Sequence, residues 1–409
     1  TLGGNPTANG GQGPYSYLWA PATGLSSTTV ANPVCTVNTT TTYTITVTDA
    51  GGATQTDNIN VVVNAAADAN LVLQAPAVQT NFNGLVTFSL CDPALSWNFS
   101  VDDASTGIPA GSTFSINWGD GSPLYSPASG GWSTTHTYAQ GLHTLTYTIT
   151  SGTCTDTEQF QVFLGTNPGG GISTNPNTNI CTGGSLPFFL NNVLTNTPGT
   201  TYLIDFGDGT DTLLQQPPPA VINHVYNVSS CPGGSFTVMF TAQNPCDQTN
   251  GQISPIRVSQ TPVVAFSLST DTVCVNSVVT ATDASLGLQA PQCTQPKHLW
   301  SVSPAAGWVL SSGSLGNTNG QPGNPGLWTG GSASLGVQFT APGSYTITDV
   351  VGNVCGFDTL SRSICVEAPP LPAFTLAPNP ICQGQQVTTD NTSTSPNSCL
   401  TRYQWQVTQ

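Results

Sequence analysis

Apolar and polar residues alternate one for one in short runs along the whole chain. Tyr202, Ile204 and Phe206 alternate with Leu203 and Asp205, and Phe114, Ile116 and Trp118 alternate with Ser115 and Asn117. A period of two puts every second side chain on one face and predicts β-strands with one buried side. Thr42-Tyr43-Thr44-Ile45-Thr46-Val47-Thr48 and residues 144–149 obey the same rule with β-branched residues, which favour strands. The first two runs end in Gly207-Asp208-Gly209 and Gly119-Asp120-Gly121. There glycine accepts positive φ and Asp bonds its own turn backbone. No stretch sustains a 3.6-residue apolar period, and Thr, Asn, Ser, Gly and Pro dominate. The fold class is therefore all-β.

Weaker copies of the anchor strand stand at Tyr17-Leu-Trp19, His298-Leu-Trp300-Ser-Val302 and Tyr403-Gln-Trp405-Gln-Val407. Anchors at 19, 116, 204, 300 and 405 are 97, 88, 96 and 105 residues apart. A repeat of about 100 residues is the size of one β-sandwich. The chain divides into a partial repeat at 1–64, whole repeats at 65–165, 166–260 and 261–367, and the start of another at 368–409. Thr1 lies too near the Trp19 strand, and Gln409 too near the Trp405 strand, for the outer repeats to be whole, so a window of a longer protein is expected. His136-Thr-Tyr138 and His224-Val-Tyr226 recur after the anchors, each followed by a glycine and a second alternating strand. In 261–367 the Gly-Asp-Gly is replaced by a Gly/Asn/Pro loop over 304–331 that carries Trp308 and Trp328. Loops of that length are often functional or mobile.

Charge narrows the function classes. Of 409 residues 6% are charged, with 19 acidic against four basic, for a net charge of −15. Nucleic-acid binding needs clustered Lys and Arg, and attraction to an anionic membrane surface needs the same, so both are disfavoured. Solubility rests on hydroxyls and amides, as in an extracellular stalk. Twelve cysteines favour an oxidising compartment, and no C-x-x-C zinc spacing occurs.

The order Tyr202-x-Ile204-Asp205-Phe206-Gly207-Asp208-Gly209-Thr210, then His224-x-Tyr226, then Gly234 before the strand at Phe236, resembles the PKD domain, an immunoglobulin-like β-sandwich. Residues 65–165 carry the same order with Asn117 in place of the first Asp. Residues 261–367 and 368–409 keep only the aromatic strand, and 1–64 is similar to Ig-like repeats. The resemblance implies a tandem array of PKD-type and Ig-like domains from large secreted surface proteins of Bacteroidota, gliding-motility adhesins among them, exported by type IX secretion. It implies a non-enzymatic stalk or fibre on the cell surface, whose partners are surface glycans or proteins, or neighbouring copies or repeats of the same protein. This segment would neither bind nucleic acid nor insert into a membrane. Alternatives are an accessory carbohydrate- or protein-binding module of a secreted hydrolase, or a subunit of an extracellular filament. Asp-Thr-apolar at Thr212, Thr272 and Thr359 is similar to a short O-glycosylation motif of that phylum.

Candidate chemistry is sparse. Asp205, Asp208 and Asp211 are close enough in sequence to supply oxygen ligands to Ca²⁺, the one cofactor considered; the competing reading makes Asp208 a turn-former. His136 and His224 hold equivalent repeat positions, while His143 and His298 stand where other repeats are apolar or aromatic. No nucleophile elbow occurs, and no catalytic residue is expected. Cys181 and Cys274 follow a first strand, whereas Cys246 and Cys355 sit in a last hairpin. Pairing within each repeat is expected: Cys181–Cys246, Cys274–Cys355 and Cys91–Cys154, with Cys293–Cys365 as a fourth bridge. Cys382 resembles Cys181, and Cys35, Cys231 and Cys399 have no assigned mate. Trp132, Trp308 and Trp328 lie on loops, where they either cap their own sandwich or stack on sugars or a neighbouring subunit.

Overall fold

A computed structural model describes residues 1–64, 67–394 and 404–406. Cys399, part of the linker at 65–69 and part of the strand at 403–407 lie outside the described residues. The chain forms two compact units: Thr1–Pro168 with Asn196–Thr200 and Gln243–Gln248, and Gly169–Thr195 with Thr201–Ala242 and Thr249–Gln409.

The first unit opens with a three-stranded antiparallel sheet, Ser16–Ala20, Thr41–Thr48 and Thr54–Val61, with Leu2, Trp19, Tyr43 and Ile45 as its buried cluster. Tyr43 and Ile45 are buried because both fall on one parity of an alternating strand. A sandwich follows. One sheet holds Leu71–Leu73, Ser96–Asp103 and Ser133–Ala139; the other runs in the order Val78–Phe82, Leu85–Cys91, Cys154–Gly165, Gly141–Ser151, Thr113–Asn117. Phe88, Phe99, Ile116, Tyr138, Tyr147 and Val162 fill the space between them.

The second unit repeats this plan. Gly171–Thr174, Gly184–Asn191 and Val221–Tyr226 form one sheet, and Asn179–Cys181, Asp247–Ser259, Phe236–Asn244, Thr201–Asp205 and Asp211–Gln215 form the other. Tyr202, Ile204 and Phe206 all point into this core, as their period of two requires. In the next sandwich Phe266–Leu268, Val278–Asp283, Ser334–Phe339 and Trp308–Ser312 face Thr272–Cys274, Gly356–Glu367, Gly343–Asn353 and Lys297–Ser303. Phe374–Ala377 then pairs with Thr388–Asn391. The fold is a tandem array of Ig-like β-sandwiches.

Each whole sandwich has one parallel pairing. Leu85–Cys91, Asn179–Cys181 and Thr272–Cys274 lie parallel to the last strand of their sandwich, so that Cys91, Cys181 and Cys274 sit opposite Gly165, Ser259 and Glu367. All three cysteines thus mark the same end of the fold.

The 304–331 stretch is partly paired, while residues 313–324 run in turns and coil apart from the bridge between Asn317 and Thr329. Trp308–Ser312 joins a sheet against Ser334–Phe339, and Pro325–Leu327 makes a 3₁₀ turn. Lys297 Nζ donates to the carbonyls of Gly326 (2.8 Å) and Trp328 (2.7 Å). Trp328 is buried, with its Nε1 donating to the Gln321 carbonyl. Backbone groups left without a ladder find these partners instead.

The Gly-Asp-Gly turn distinguishes its two glycines. Both have positive φ, but a Cβ on Gly207 would lie 2.5 Å from the Thr237 carbonyl oxygen, whereas one on Gly209 meets nothing within 4 Å. Gly209→Ala is expected to cost about 1–2 kcal/mol, the strain of a left-handed backbone. Gly207→Ala adds a backbone clash on the order of 1–3 kcal/mol. Urea denaturation of the two variants checks the order; equal losses would contradict it.

Candidate functional site

The signature residues form a lock inside two of the sandwiches, 65–165 and 166–260. Asp208 Oδ1 accepts from the Thr210 backbone N–H (3.1 Å) and hydroxyl (2.6 Å), and its Oδ2 accepts from His224 Nε2 at 2.8 Å. The His224 ring stacks on Phe206 (3.8 Å between centroids, 4° between planes), and the Tyr226 hydroxyl donates to the Phe206 carbonyl. Asp120, His136, Trp118 and Tyr138 repeat this, with 2.7 Å for Asp120–His136 and 4.4 Å for the ring stack. The two halves of the motif are partners in one contact. Asp205 instead accepts from the Gly207 N–H and sits across the hairpin from Asp211. Asp205 and Asp208 accept from the backbone of the turn and Asp211 opens the next strand, while the one group of three His/Asp side chains that converges among the described residues lies elsewhere.

Burial raises the Asp120 carboxyl, but His136 and the Ser122 backbone and hydroxyl outweigh it and hold it at about 2. A depressed carboxylate stabilises the fold fully above its unfolded pKa, about 3.9, and the contribution is lost as pH falls through the folded value. Acidification from pH 5 to pH 2 is expected to lower the stability of the wild-type 67–165 sandwich more than that of Asp120→Asn. Tryptophan fluorescence during denaturation at the two pH values reads this out.

The convergent group is Asp283, His298 and Asp349. His298 Nδ1 lies 2.9 Å from Asp349 Oδ2, and Nε2 lies 3.3 Å from Asp283 Oδ2. Asp349 has no exposed surface, and its Oδ1 has no hydrogen-bond partner. Burial alone would lower the His298 pKa, but Asp349 and Asp283 push it up; burial pushes the Asp349 carboxyl up as well. An imidazolium donating to a carboxylate on each side accounts for the geometry. Sequence reading missed this cluster, although one signal was present. Asp349 shares the parity of Tyr345, Ile347 and Val351, so a carboxylate stands on the buried face of its strand.

The cysteines build the feature with the clearest functional content. In the second unit Cys181, at the end of its parallel strand, is bridged to Cys355 in the hairpin tip after Asn353, with Cα atoms 5.7 Å apart. Asn353 Nδ2 donates to the carbonyls of Gln260 and Gly287 (both 2.7 Å), and its Oδ1 accepts from the Cys355 N–H (2.7 Å). The Cys355 sulfur lies 3.6 Å from the Ser259 carbonyl oxygen. Cys231–Cys293 is a second bridge at this joint, and Gly234 packs so close to Pro291 that a Cβ would fall 2.5 Å from its carbonyl oxygen. In the first unit Cys91 is bridged to Cys246 with the same accessories. Asn244 Nδ2 donates to the Thr166 carbonyl (2.9 Å), and its Oδ1 accepts from the Cys246 N–H (3.0 Å). An Asn-x-Cys hairpin tip seats on the end of a parallel strand pair in both places.

These bridges replace the expected ones. Cys274 lies opposite Glu367 at one end of the 12-residue strand Gly356–Glu367, while Cys355 precedes its other end. At about 3.3 Å per residue the two are about 40 Å apart, far beyond the Cα separation of about 7 Å that a disulfide spans. Cys91 and Cys154 are separated in the same way by Cys154–Gly165, and the 13-residue Asp247–Ser259 strand separates the ends marked by Cys181 and Cys246. Cys293–Cys365 is also corrected, since Cys293 takes Cys231. Cys35, Cys154, Cys274 and Cys382 are free thiols.

Trp132 and Trp328 are buried, and Trp308 is half-buried, packing on its own core with Nε1 donating to the Pro304 carbonyl. Thr359 is exposed, while Thr212 and Thr272 are half-buried.

No family model and no curated protein sequence matches the chain. Solved structures of Ig-domain arrays do. A three-domain fragment of titin, I67–I69, carrying an E-to-A mutation, is 13% identical over 74% of this chain and 99% of its own, with a TM-score of 0.32. The Ig1–Ig3 ectodomain of mouse nectin-like molecule 4 is 11% identical over 69% and 98%, with a TM-score of 0.29. The N-terminal eight Ig domains of the Down syndrome cell adhesion molecule give 11% over 93% of this chain and 48% of theirs, at 0.27.

Proposed function

We propose that the chain is a non-enzymatic, extracellular array that carries tension and sets binding surfaces away from a cell, as the stalk or fibre region of a large secreted bacterial surface adhesin. The observation that carries this reading is the joint at Cys181–Cys355, where consecutive sandwiches of the second unit are tied by a bridge as well as by the chain. An array under tension needs resistance at its weakest place, the linker, and there Cys181–Cys355, Cys231–Cys293 and the two Asn353 hydrogen bonds are concentrated. Disulfides persist outside the cytosol, and the shortage of charge suits a hydroxyl-rich surface. The PKD-like motif supports a Bacteroidota gliding-type adhesin and type IX export, with surface glycans or proteins as the partners. Thr359 is the most accessible of the three modification candidates.

Antibodies raised against the chain are expected to label intact cells of the source organism, and surface proteolysis is expected to remove that signal. Labelling that requires permeabilisation would overturn the proposal.

A further inference from the structure

Two joints are filled, and their parts can be compared position by position. The receiving side consists of a cysteine ending a parallel strand, the carbonyl of the residue opposite it, and the carbonyl of the next residue. These are Cys91, Gly165 and Thr166 in one joint and Cys181, Ser259 and Gln260 in the other. The entering side is Asn244-Pro-Cys246 or Asn353-Val-Cys355. The 261–367 sandwich presents the receiving side a third time, as Cys274, Glu367 and Ala368 in the same parallel register. Here the cysteine is unbridged and exposed; of the two bridged counterparts Cys181 is half-buried and Cys91 exposed, so the missing bridge is what sets Cys274 apart.

We infer that this end of the 261–367 sandwich is a docking surface for the Asn-x-Cys hairpin tip of a further repeat of the same kind, which it holds by a disulfide to Cys274. The inference rests on the array reading and extends it, because each sandwich would then be bridged to the one after it. Continuity with the two filled joints identifies the occupant. The asparagine is the selective element, since its side chain reaches the carbonyl one residue beyond the strand pair in both. Cys154 occupies the matching hairpin place in the 65–165 repeat but has Gly152 where the tips have asparagine. It therefore lacks the group that recognises such a surface.

The covalent step is thiol–disulfide exchange with a low-molecular-weight disulfide, oxidised glutathione, as the oxidant. The Cys274 thiolate displaces one glutathione thiolate and becomes glutathionylated. The hairpin thiolate then attacks the Cys274 sulfur, the bond to glutathione breaks, and a second glutathione thiolate leaves. Two thiols are oxidised and one glutathione disulfide is reduced.

The test uses the chain unaltered in a glutathione redox buffer. The probe is a backbone-cyclised peptide copying residues 347–362, in which Cys355 is the only cysteine, and mixed disulfides are mapped by mass spectrometry. Cys274 is expected to carry the peptide about tenfold more than Cys154 or Cys382, the scale of one or two net hydrogen bonds. A peptide with Asn353→Ala is expected to lose that preference. Equal labelling of the three exposed cysteines, or a preference that survives Asn353→Ala, would overturn the inference, because exposure alone would then explain the bridge. The readout does not depend on where the chain resides, so it can fail while surface labelling succeeds, and the reverse.

Discussion

Serine at both Cys181 and Cys355 is expected to lower unfolding stability by about 3–5 kcal/mol. The bridge spans 174 residues, and closing a loop of that size removes on the order of 5 kcal/mol of chain entropy from the unfolded state in the entropic model. The loss should fall on the joint rather than on the sandwich cores, because both cysteines sit at strand ends and hairpin tips. Guanidinium denaturation of the oxidised double variant is therefore expected to show a lowered transition with unchanged strand signal before it. Keeping Asn353 separates the covalent part from the hydrogen-bonded part. Asn353→Ala alone removes two donated bonds from a buried side chain and is expected to cost about 2–4 kcal/mol at net values near 1 kcal/mol each, plus the carbonyls left unpaired. A double variant no less stable than the wild type would mean that the bridge is incidental to the joint.

Asp349→Ala is expected to be as damaging. It leaves His298 buried with only the longer Asp283 contact, and breaking a buried charge pair by removing one partner costs about 3–5 kcal/mol. Replacing both members with apolar residues, Asp349→Val with His298→Phe, should recover most of the loss, since two buried ions are exchanged for packing beside Trp300. The pH dependence separates this from a simple cavity. His298 has a folded pKa raised above its unfolded value of about 6.5. Its contribution is full below that value and is lost as pH rises through the folded one. The raised Asp349 carboxyl has the same sign in its own window, its contribution being lost as pH rises from about 3.9 through its folded value. Wild-type stability of this sandwich should fall as pH rises above about 6.5, opposite in sign to the acid loss at Asp120, while the apolar double variant stays flat. A wild-type profile without that alkaline slope would show that the cluster holds no extra proton.

The strands, their buried faces and the repeat were legible in the sequence because they are local. Alternation places Tyr202, Ile204 and Phe206 on one face whatever they pack against, and glycines at positive φ end the strand before any tertiary contact forms. Partnership between distant residues was not legible in the same way. The Gly-Asp-Gly and His-x-Tyr motifs were visible as two recurring signatures, yet only the fold brings Asp208 within 2.8 Å of His224 and makes them one lock. His298 stood out only as a polar residue in an apolar place, and its meaning came from Asp349 and Asp283 on two other strands. The cysteines make the division plainest. Sequence determined that they recur at two places in the repeat, one early and one in the last hairpin. Tertiary structure decided their pairing, because a parallel strand pair puts these places at opposite ends of a strand 12 or 13 residues long, so that a cysteine's mate lies in the neighbouring repeat rather than its own.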